Sequence, residues 1–475
     1  MSQVVERFHT GRVVLLATVA ALGGFLFGFD TAVINGAVDS MADSFGLNSA
    51  LKGFTVSSAL IGCMIGAFLA GRLADALGRV KVMLLASLMF TLSAIGSGLA
   101  FGTYDMIFWR LVGGLGVGAA SVIAPAYIAE ISPASIRGRM GSLQQLAIVT
   151  GIFVALLSDF GIAAAAGGSA LNELWLGKEA WRWMFMAEAI PAVIYGVLAL
   201  TVPESPRYLV RKGEDELAHK VMRTILIDGV DERIQEIKKT IATEVKVPFK
   251  AVLNKKGNNF LPIVWVGIAL SVFQQFVGIN VIFYYSTTLW RSVGWDEDKA
   301  LLITVLTSVT NIVVTLIAIS LIDRVGRKVL LLVGSIGMTV SLGVLAGIFA
   351  TAPMIAGEGG KMIPDLSGTA GGTIALVCAN LFVVFFGVSW GPVVWVLLGE
   401  IFNNNIRALA LGIAAAAQWL ANFLISTTFP SMADVGLWFA YGFYTLCAFL
   451  SLLFVWKFVP ETKGVQLEDM EGVVS

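Results

Sequence analysis

Apolar residues in this chain do not alternate with polar ones as in a half-buried strand; they run on in long stretches separated by short polar breaks. A helix that crosses hydrocarbon needs about 20 mainly apolar residues. Twelve stretches qualify, at 13–37, 53–74, 81–100, 106–130, 139–160, 182–202, 261–287, 299–322, 328–350, 372–398, 407–428 and 434–459. Lipid leaves a backbone amide no partner outside a helix or a closed barrel, and these runs are too long and too uniformly apolar for barrel strands. The pattern therefore predicts an all-α membrane protein of twelve transmembrane helices. The first run, from Val13 to about Ala37, far exceeds the roughly 7–15 apolar residues of a leader peptide, so it reads as span one.

One long polar segment interrupts the series, at 204–258, and it carries both signs of charge. Leu217, Val221 and Ile225, then Ile234, Ile237 and Ile241, recur at helical spacing with charged residues between them. This predicts short amphipathic helices lying under the membrane domain on its cytoplasmic side. Three regions follow: a six-helix half at 1–203, a helical linker at 204–258, and a second six-helix half with a short tail at 259–475.

The basic residues give the orientation. Arg7, Arg12, Arg72, Arg79, Lys81, Arg137, Arg139, Arg324, Arg327, Lys328, Arg407 and Lys463 fall at the termini or in alternate loops, whereas the opposite loops hold few, such as Lys52, Lys178 and Lys361. Both termini are expected on the cytoplasmic side. The two halves also repeat one another. GRLADALGR after span two places Asp75 four residues before Arg79, and LIDRVGR after span eight places Asp323 four before Arg327. Span four ends in Glu130, seven residues before Arg137, and span ten ends in Glu400, seven before Arg407. Span six leaves through PESPR at Pro203 and span twelve through PETKG at Pro460. These paired features occur in one order, about 250–270 residues apart. Parallel six-helix halves with a site near the midplane are the arrangement of major facilitator transporters.

Composition agrees and removes other classes. Of 475 residues, 57% are hydrophobic and 13% charged, against roughly 25% charged in a soluble domain. Mean hydropathy is +0.84. Lys+Arg and Asp+Glu balance at 32 each, so no overall field points to nucleic acid. Cys63, Cys378 and Cys447 lie in apolar runs, and His9 and His219 in polar ones, which leaves no metal-ligand spacing and no disulfide framework. The GGLGVG run at Gly113–Gly118 lies inside span four, with no preceding strand and no Lys–Ser/Thr, so it reads as helix packing and not as a nucleotide loop. No cofactor and no enzymatic activity are expected.

FLFGFDTAVINGA from Phe25, the Asp–Gly–Arg loops, PESPRYL, QQFVGIN, GPVVWVLLGEIF, AAQWLAN and PETKG together resemble the sugar porter family of the major facilitator superfamily over nearly the whole chain. The pattern is most similar to bacterial proton-coupled sugar symporters and animal glucose facilitators. A monosaccharide offers hydroxyls that donate and accept, and a weakly apolar ring face, so amides and aromatic platforms suit it. Gln145, Gln274, Gln275, Asn280, Gln418, Trp419, Asn422 and Trp395 supply these within spans. The resemblance carries substrate binding onto Gln145, Gln274, Gln275, Asn280, Trp395 and Gln418, and lining onto Phe27, Tyr284, Asn311, Phe386, Gly391 and Trp419. Of the adjacent Gln144 and Gln145, about 100° apart on a helix, the motif favours Gln145 for the cavity. Gln274 and Asn280 would point about 240° apart on a straight helix; Gly278 between them predicts a break that brings both to one cavity. No lysine or arginine sits among these second-half amides, which favours a neutral substrate.

Asp30 lies deep in span one, where an unpaired charge costs at least about 2.5–3.5 kcal/mol. It is expected to be paired or protonated, with Arg110 as its partner. Proton-coupled members of the resembled family are similar in having an acid and an arginine at these positions, and Glu188 matches a further acid. The predicted mechanism is that Arg110 holds Asp30 ionised in one state, and protonation releases the pair so that the loaded carrier changes access. One proton crossing 100 mV yields about 2.3 kcal/mol, enough for roughly 40-fold accumulation at about 1.4 kcal/mol per tenfold. Asp75, Arg79, Glu130, Arg137, Asp323, Arg327, Glu400 and Arg407 at cytoplasmic helix ends, with Glu204 and Glu461 by family analogy, are expected to form gating ion pairs. The expected partners are thus a neutral monosaccharide such as xylose, glucose or galactose, a proton and the lipid bilayer. The protein is expected to be a monomer in a bacterial inner membrane. Two other readings remain open: a uniporter in which Asp30 is structural, and a sugar receptor that signals without transport, against which the short tail after Gly464 counts.

Overall fold

The computed structural model describes residues 7–133, 135–242, 248–254, 257–356, 362–402 and 406–462; the side chains at 137–139, 319, 322, 323, 362, 363 and 408 lie outside that description. Among the described residues twelve helices are long and apolar enough to cross a membrane. Spans one to six are Thr10–Phe45, Ser49–Leu77, Arg79–Leu99, Thr103–Ile131, Met140–Ala165 and Ala180–Ala199. Spans seven to twelve are Pro262–Ser292, Glu297–Ala318, Arg327–Thr351, Ala370–Ile401, Leu409–Val435 and Leu437–Phe458. The number and order match the hydropathy pattern. The largest change of boundary is in span one, which continues past Ala37 through the polar turns VDSMADSF until Gly46, at φ +63, stops it.

The chain divides into two compact units. The first comprises Met1–Val33, Ile61–Ser158 and Arg182–Lys246; the second comprises Ile34–Leu60, Asp159–Trp181 and Val247–Ser475. Within the first, spans one and five meet backbone to backbone. A Cβ at Gly28 would lie 2.0 Å from the carbonyl oxygen of Ile148, and one at Gly151 would lie 2.0 Å from that of Phe25. With no hydrophobic drive between helices in lipid, such close approach through small residues is what holds them together.

In the second unit two spans are broken. Span seven ends its first helix at Phe276, passes through Gly278 at φ +88, and resumes as Ile279–Ser292. Only glycine takes that left-handed conformation without strain, and the ring of Tyr444 would lie 2.7 Å from any Cβ there. Span ten is broken at Ser389 (φ −129, ψ −90), between Ala370–Val388 and Trp390–Ile401. The break expected at Gly278 is present; the one at Ser389 follows from Pro392, whose ring would clash with the carbonyl of Val388 in a regular helix.

The polar linker folds as helices Pro206–Lys212, Asp215–Ile225 and Val230–Ala242. Its buried stripe is Ala218, Met222 and Ile225, with Leu217 49% exposed, so the expected Leu217–Val221–Ile225 face is off by one position. Both stripes have helical spacing and share Ile225, and the smaller Ala218 is the one that faces inward. Ile234 is buried as its pattern requires. The chain is not wholly helical: short antiparallel hairpins, Glu173–Trp175 with Lys178–Glu179 and Met354–Ala356 with Met362–Pro364, occupy the loops before spans six and ten.

Gly28→Val is expected to destabilise the first unit by on the order of 3 kcal/mol, because the new side chain must displace the backbone at Ile148. Thermal unfolding of the purified variant in detergent checks this; a melting temperature equal to that of the unsubstituted protein contradicts it.

Candidate functional site

The amides of span seven gather around the two helix breaks of the second unit. Gln274, 2% exposed, donates from Nε2 to the carbonyl oxygens of Trp390 (2.8 Å) and Gly391 (3.1 Å), the first residues after the break in span ten. Gln275 Nε2 lies 3.5 Å from Gln274 Oε1, and Asn280 Nδ2 donates to Gln275 Oε1 at 2.5 Å. The break at Gly278 thus brings Asn280 back toward Gln275, which a straight helix would prevent. Trp390 is fixed in turn by its indole N–H on Ser335 Oγ at 2.9 Å.

Beside this chain, Asn422 Nδ2 lies 3.5 Å from the Tyr284 hydroxyl and accepts from Ser426 at 3.1 Å. Gln418 on span eleven has a buried Oε1 with no hydrogen-bond donor among the described residues. Trp419, Phe386 and Asn311 are half-buried, Gly391 lies against Phe386, and Trp395 is 46% exposed. Gln274 has therefore spent its donors on backbone, whereas Gln418 keeps an acceptor free. In the first unit Gln144 is buried against Gly24, and its neighbour Gln145 is exposed. Phe27 is half-buried on span one.

The first unit also holds a buried charge cluster. Arg110 Nη1 donates to Asp30 Oδ1 at 3.2 Å and to the Asp30 carbonyl at 3.3 Å. Asp30 is 1% exposed, Arg110 2% and Glu188 1%. Glu188 sits where span six is interrupted between Ala187 and Ala189, and its carboxyl interacts with that of Asp30. Gly113 leaves the room this needs, since a Cβ there would lie 3.0 Å from Asp30 Oδ1. Two buried acids thus lie close to one guanidinium, which bonds Asp30.

Two similar ion-pair clusters stand at helix ends, one in each unit. Arg79 forks onto Glu130 at 2.9 and 2.8 Å, Ser205 donates to Glu130 at 2.5 Å, and Asp75 meets both Arg79 (3.5 Å) and Arg211 (2.8 Å). Glu204 accepts the backbone N–H groups of Arg79 (2.9 Å) and Val80 (3.2 Å), capping the start of span three. In the second unit Arg327 forks onto Glu400 at 3.1 and 2.8 Å, and Thr462 donates to Glu400 at 2.5 Å. Glu461 accepts the N–H groups of Arg327 and Lys328 at 3.0 Å each, at the start of span nine. A carboxylate on unpaired N–H groups at a helix start is favoured by the helix dipole. Arg407 donates from Nε to the Phe402 carbonyl at 3.2 Å. The side chains of Arg137 and Asp323 lie outside the described residues.

A further network was not foreseen. In the second unit Asp39, 16% exposed, accepts from Lys52 (2.5 Å), Thr288 (2.9 Å) and Arg291 (3.3 Å). One turn earlier Asn35 donates to the Phe283 carbonyl (2.8 Å) and accepts from Thr287 N (3.0 Å) and Oγ1 (2.6 Å). These contacts tie the far end of span one to the second helix of span seven. Asp39 and Asn35 recur at i and i+4, a spacing that marks one helix face and was available in the sequence.

Twelve spans with broken helices, buried amides at the breaks and an intramembrane acid–guanidinium cluster define a multi-pass membrane transporter for a polar solute. The family profile described as "Sugar (and other) transporter" matches residues 16–473, and the chain belongs to this family. It is 59% identical over 459 residues to a glucose transport protein of Synechocystis, covering 96% of this chain and 97% of that one. It is 38% identical to the D-xylose-proton symporter of Escherichia coli K12, covering 98% and 96%. The solved structure of the xylose transporter of Escherichia coli in its inward open conformation superposes with a TM-score of 0.81 at 37% identity, over 98% of this chain and 100% of that one. The fold is that of the major facilitator sugar porters.

Asp39→Asn removes the counter-ion from two cations, one of them largely buried. Destabilisation of about 1–3 kcal/mol is expected, read as an earlier thermal transition in detergent. A transition unmoved from the unsubstituted protein would mean the network is a solvated contact.

Proposed function

We propose that this protein takes up a neutral monosaccharide together with a proton by alternating access, with glucose as the first sugar to test and xylose the second. The observation that carries the reading is the Asp30–Arg110–Glu188 cluster. With both acids ionised, this buried cluster holds two negative charges against one positive charge. Desolvated charge imbalance is costly, so a single proton on the acid pair restores neutrality. A site of this kind holds a proton on demand, and Arg110 decides which acid stays ionised. Protonation of Asp30 frees Arg110 from it, which couples the proton to the packing of spans one, four and six.

The chemistry of the sugar site supports a neutral polyol. Gln275, Asn280, Gln418, Asn422 and Tyr284, all in the second unit, offer amide and hydroxyl groups with no cation among these five. Gln418 Oε1 is an acceptor waiting for a hydroxyl donor. Gln274 acts indirectly, by holding the backbone at Trp390 and Gly391 and so the placement of Phe386 and Trp395. The similarity to a glucose transport protein and to a D-xylose-proton symporter supports this choice of substrates.

The helix-end clusters act as conformational switches in this reading. Arg79–Glu130 and Arg327–Glu400 are partly wet, so each is individually weak and can be exchanged during transport. Both termini are cytoplasmic, and the protein works as a monomer in a bacterial inner membrane.

Sugar added to lightly buffered cells or vesicles holding the protein is expected to make the outside alkaline. Asp30→Asn should abolish that shift while sugar exchange survives. Exchange without proton movement in the unsubstituted protein would make it a uniporter. Gln418→Ala should raise the sugar concentration at half-maximal exchange by roughly tenfold, the worth of one hydrogen bond to a buried acceptor; an unchanged value removes Gln418 from the site.

A further inference from the structure

Asp159, on span five, is a buried acid that neither the cluster at Asp30 nor the network at Asp39 includes. It is 0% exposed. Its Oδ2 accepts the backbone N–H of Gly36 at 3.2 Å, and among the described residues its Oδ1 has no hydrogen-bond partner. Gly36 stands just beyond the joint of span one, where one helix ends at Ala32 and the next begins at Ile34. The N–H groups of a new helix's first turn have no intrahelical acceptor, and Asp159 supplies one of them. On the other side of the joint Thr31 donates to the carbonyls of Phe27 (2.8 Å) and Gly28 (3.1 Å). Fit at the joint is close: a Cβ at Gly36 would meet Asp159 Oδ2 at 2.6 Å.

Among the described residues no ion pair to this carboxyl is found. On span one, Asp30 is bound to Arg110, and Asp39 to Lys52 and Arg291. The second helix of span seven, which packs on the same end of span one, brings Arg291, already on Asp39, and two tyrosines. Tyr285 donates to the Ser426 carbonyl at 2.8 Å, and Tyr284 lies beside Asn422. Span five itself carries no other ionisable side chain between Met140 and Ala165. An ionised carboxylate in such a place would have one N–H bond and no counter-charge, which is among the least favourable states a side chain can hold in a membrane. A carboxylic acid has no such penalty, and its carbonyl oxygen still accepts the Gly36 N–H.

We propose that Asp159 is a proton-binding site in its own right, separate from the Asp30 cluster, whose neutral acid form secures the joint of span one and whose ionisation loosens it. The proton leaves a carboxylic acid as H⁺ and returns to the carboxylate, with no other bond made or broken. The inference stands independently of the symport reading, because proton occupancy of Asp159 is observable whether or not the chain couples protons to sugar.

Infrared spectroscopy of the purified full-length protein tests it through the C=O stretch of protonated carboxylic acids, recorded at a pH where exposed Asp and Glu are ionised. Asp159→Asn is expected to lower that band by about half, leaving the one neutral acid of the Asp30–Glu188 pair. An unchanged band overturns the proposal. Should Asp159→Asn not fold, Glu188→Gln serves instead: Asp159 must keep a protonated-acid band there, and its complete loss overturns the proposal equally. For the joint, Asp159→Asn should keep sugar exchange at neutral pH within about twofold, since an amide oxygen accepts the Gly36 N–H as well as an acid does. It should also lose less exchange at alkaline pH than the unsubstituted protein, because asparagine cannot ionise. Superimposable pH profiles would overturn the role at the joint.

Discussion

Hydrocarbon offers no hydrogen-bond partner, so every backbone group freed by a helix break and every buried charge must find its partner inside the chain. The structure around the candidate site follows from that constraint. Breaking span ten at Ser389 frees carbonyls at Trp390 and Gly391, and Gln274 takes both. Breaking span one beyond Ala32 frees an N–H at Gly36, and Asp159 takes it. Breaking span seven at Gly278 costs little because glycine accepts φ +88, and it brings Asn280 onto Gln275. Irregular backbone and buried polar side chains therefore occur together, and they concentrate in the segments that carry the proposed chemistry.

Charge obeys the same constraint in graded form. The Asp30–Arg110–Glu188 cluster is nearly free of solvent, so its charge balance can change only through a proton. At the helix ends, Arg79–Glu130 and Arg327–Glu400 retain access to water, with side-chain exposures of 9–26%, and can open without stranding a bare charge. Asp39 lies between these cases, with three donors on one carboxylate. Internal duplication explains why the two arginine–glutamate clusters share a design, down to the glutamates that cap spans three and nine.

Much of the architecture was legible in the sequence because long apolar runs have one stable solution in lipid. The twelve spans, the paired motifs after spans two and eight, and the break at Gly278 all have local signals. The rest depended on contacts between distant residues. Pro392 announces the break at Ser389, since its ring clashes with the carbonyl of Val388 four residues back, but Gln274's donors can be seen to be engaged only once Trp390 is placed against it. Asp39, Lys52 and Arg291 each read as an ordinary polar residue at a span end; their convergence lies in three separate segments. The linker stripe was misplaced by one position because Leu217 and Ala218 both satisfy helical spacing with Ile225. Asp159 carries no motif, and only its burial and its bond to Gly36 distinguish it.

The most direct test of the account is sugar accumulation in sealed proteoliposomes holding the purified protein under an imposed inward proton gradient. If the buried acid pair carries a proton with each sugar, internal sugar must rise above the external concentration and fall back when the gradient is collapsed. Equilibration to equal concentrations, unaffected by the gradient, would contradict the account and leave Asp30, Arg110 and Glu188 as fixed packing.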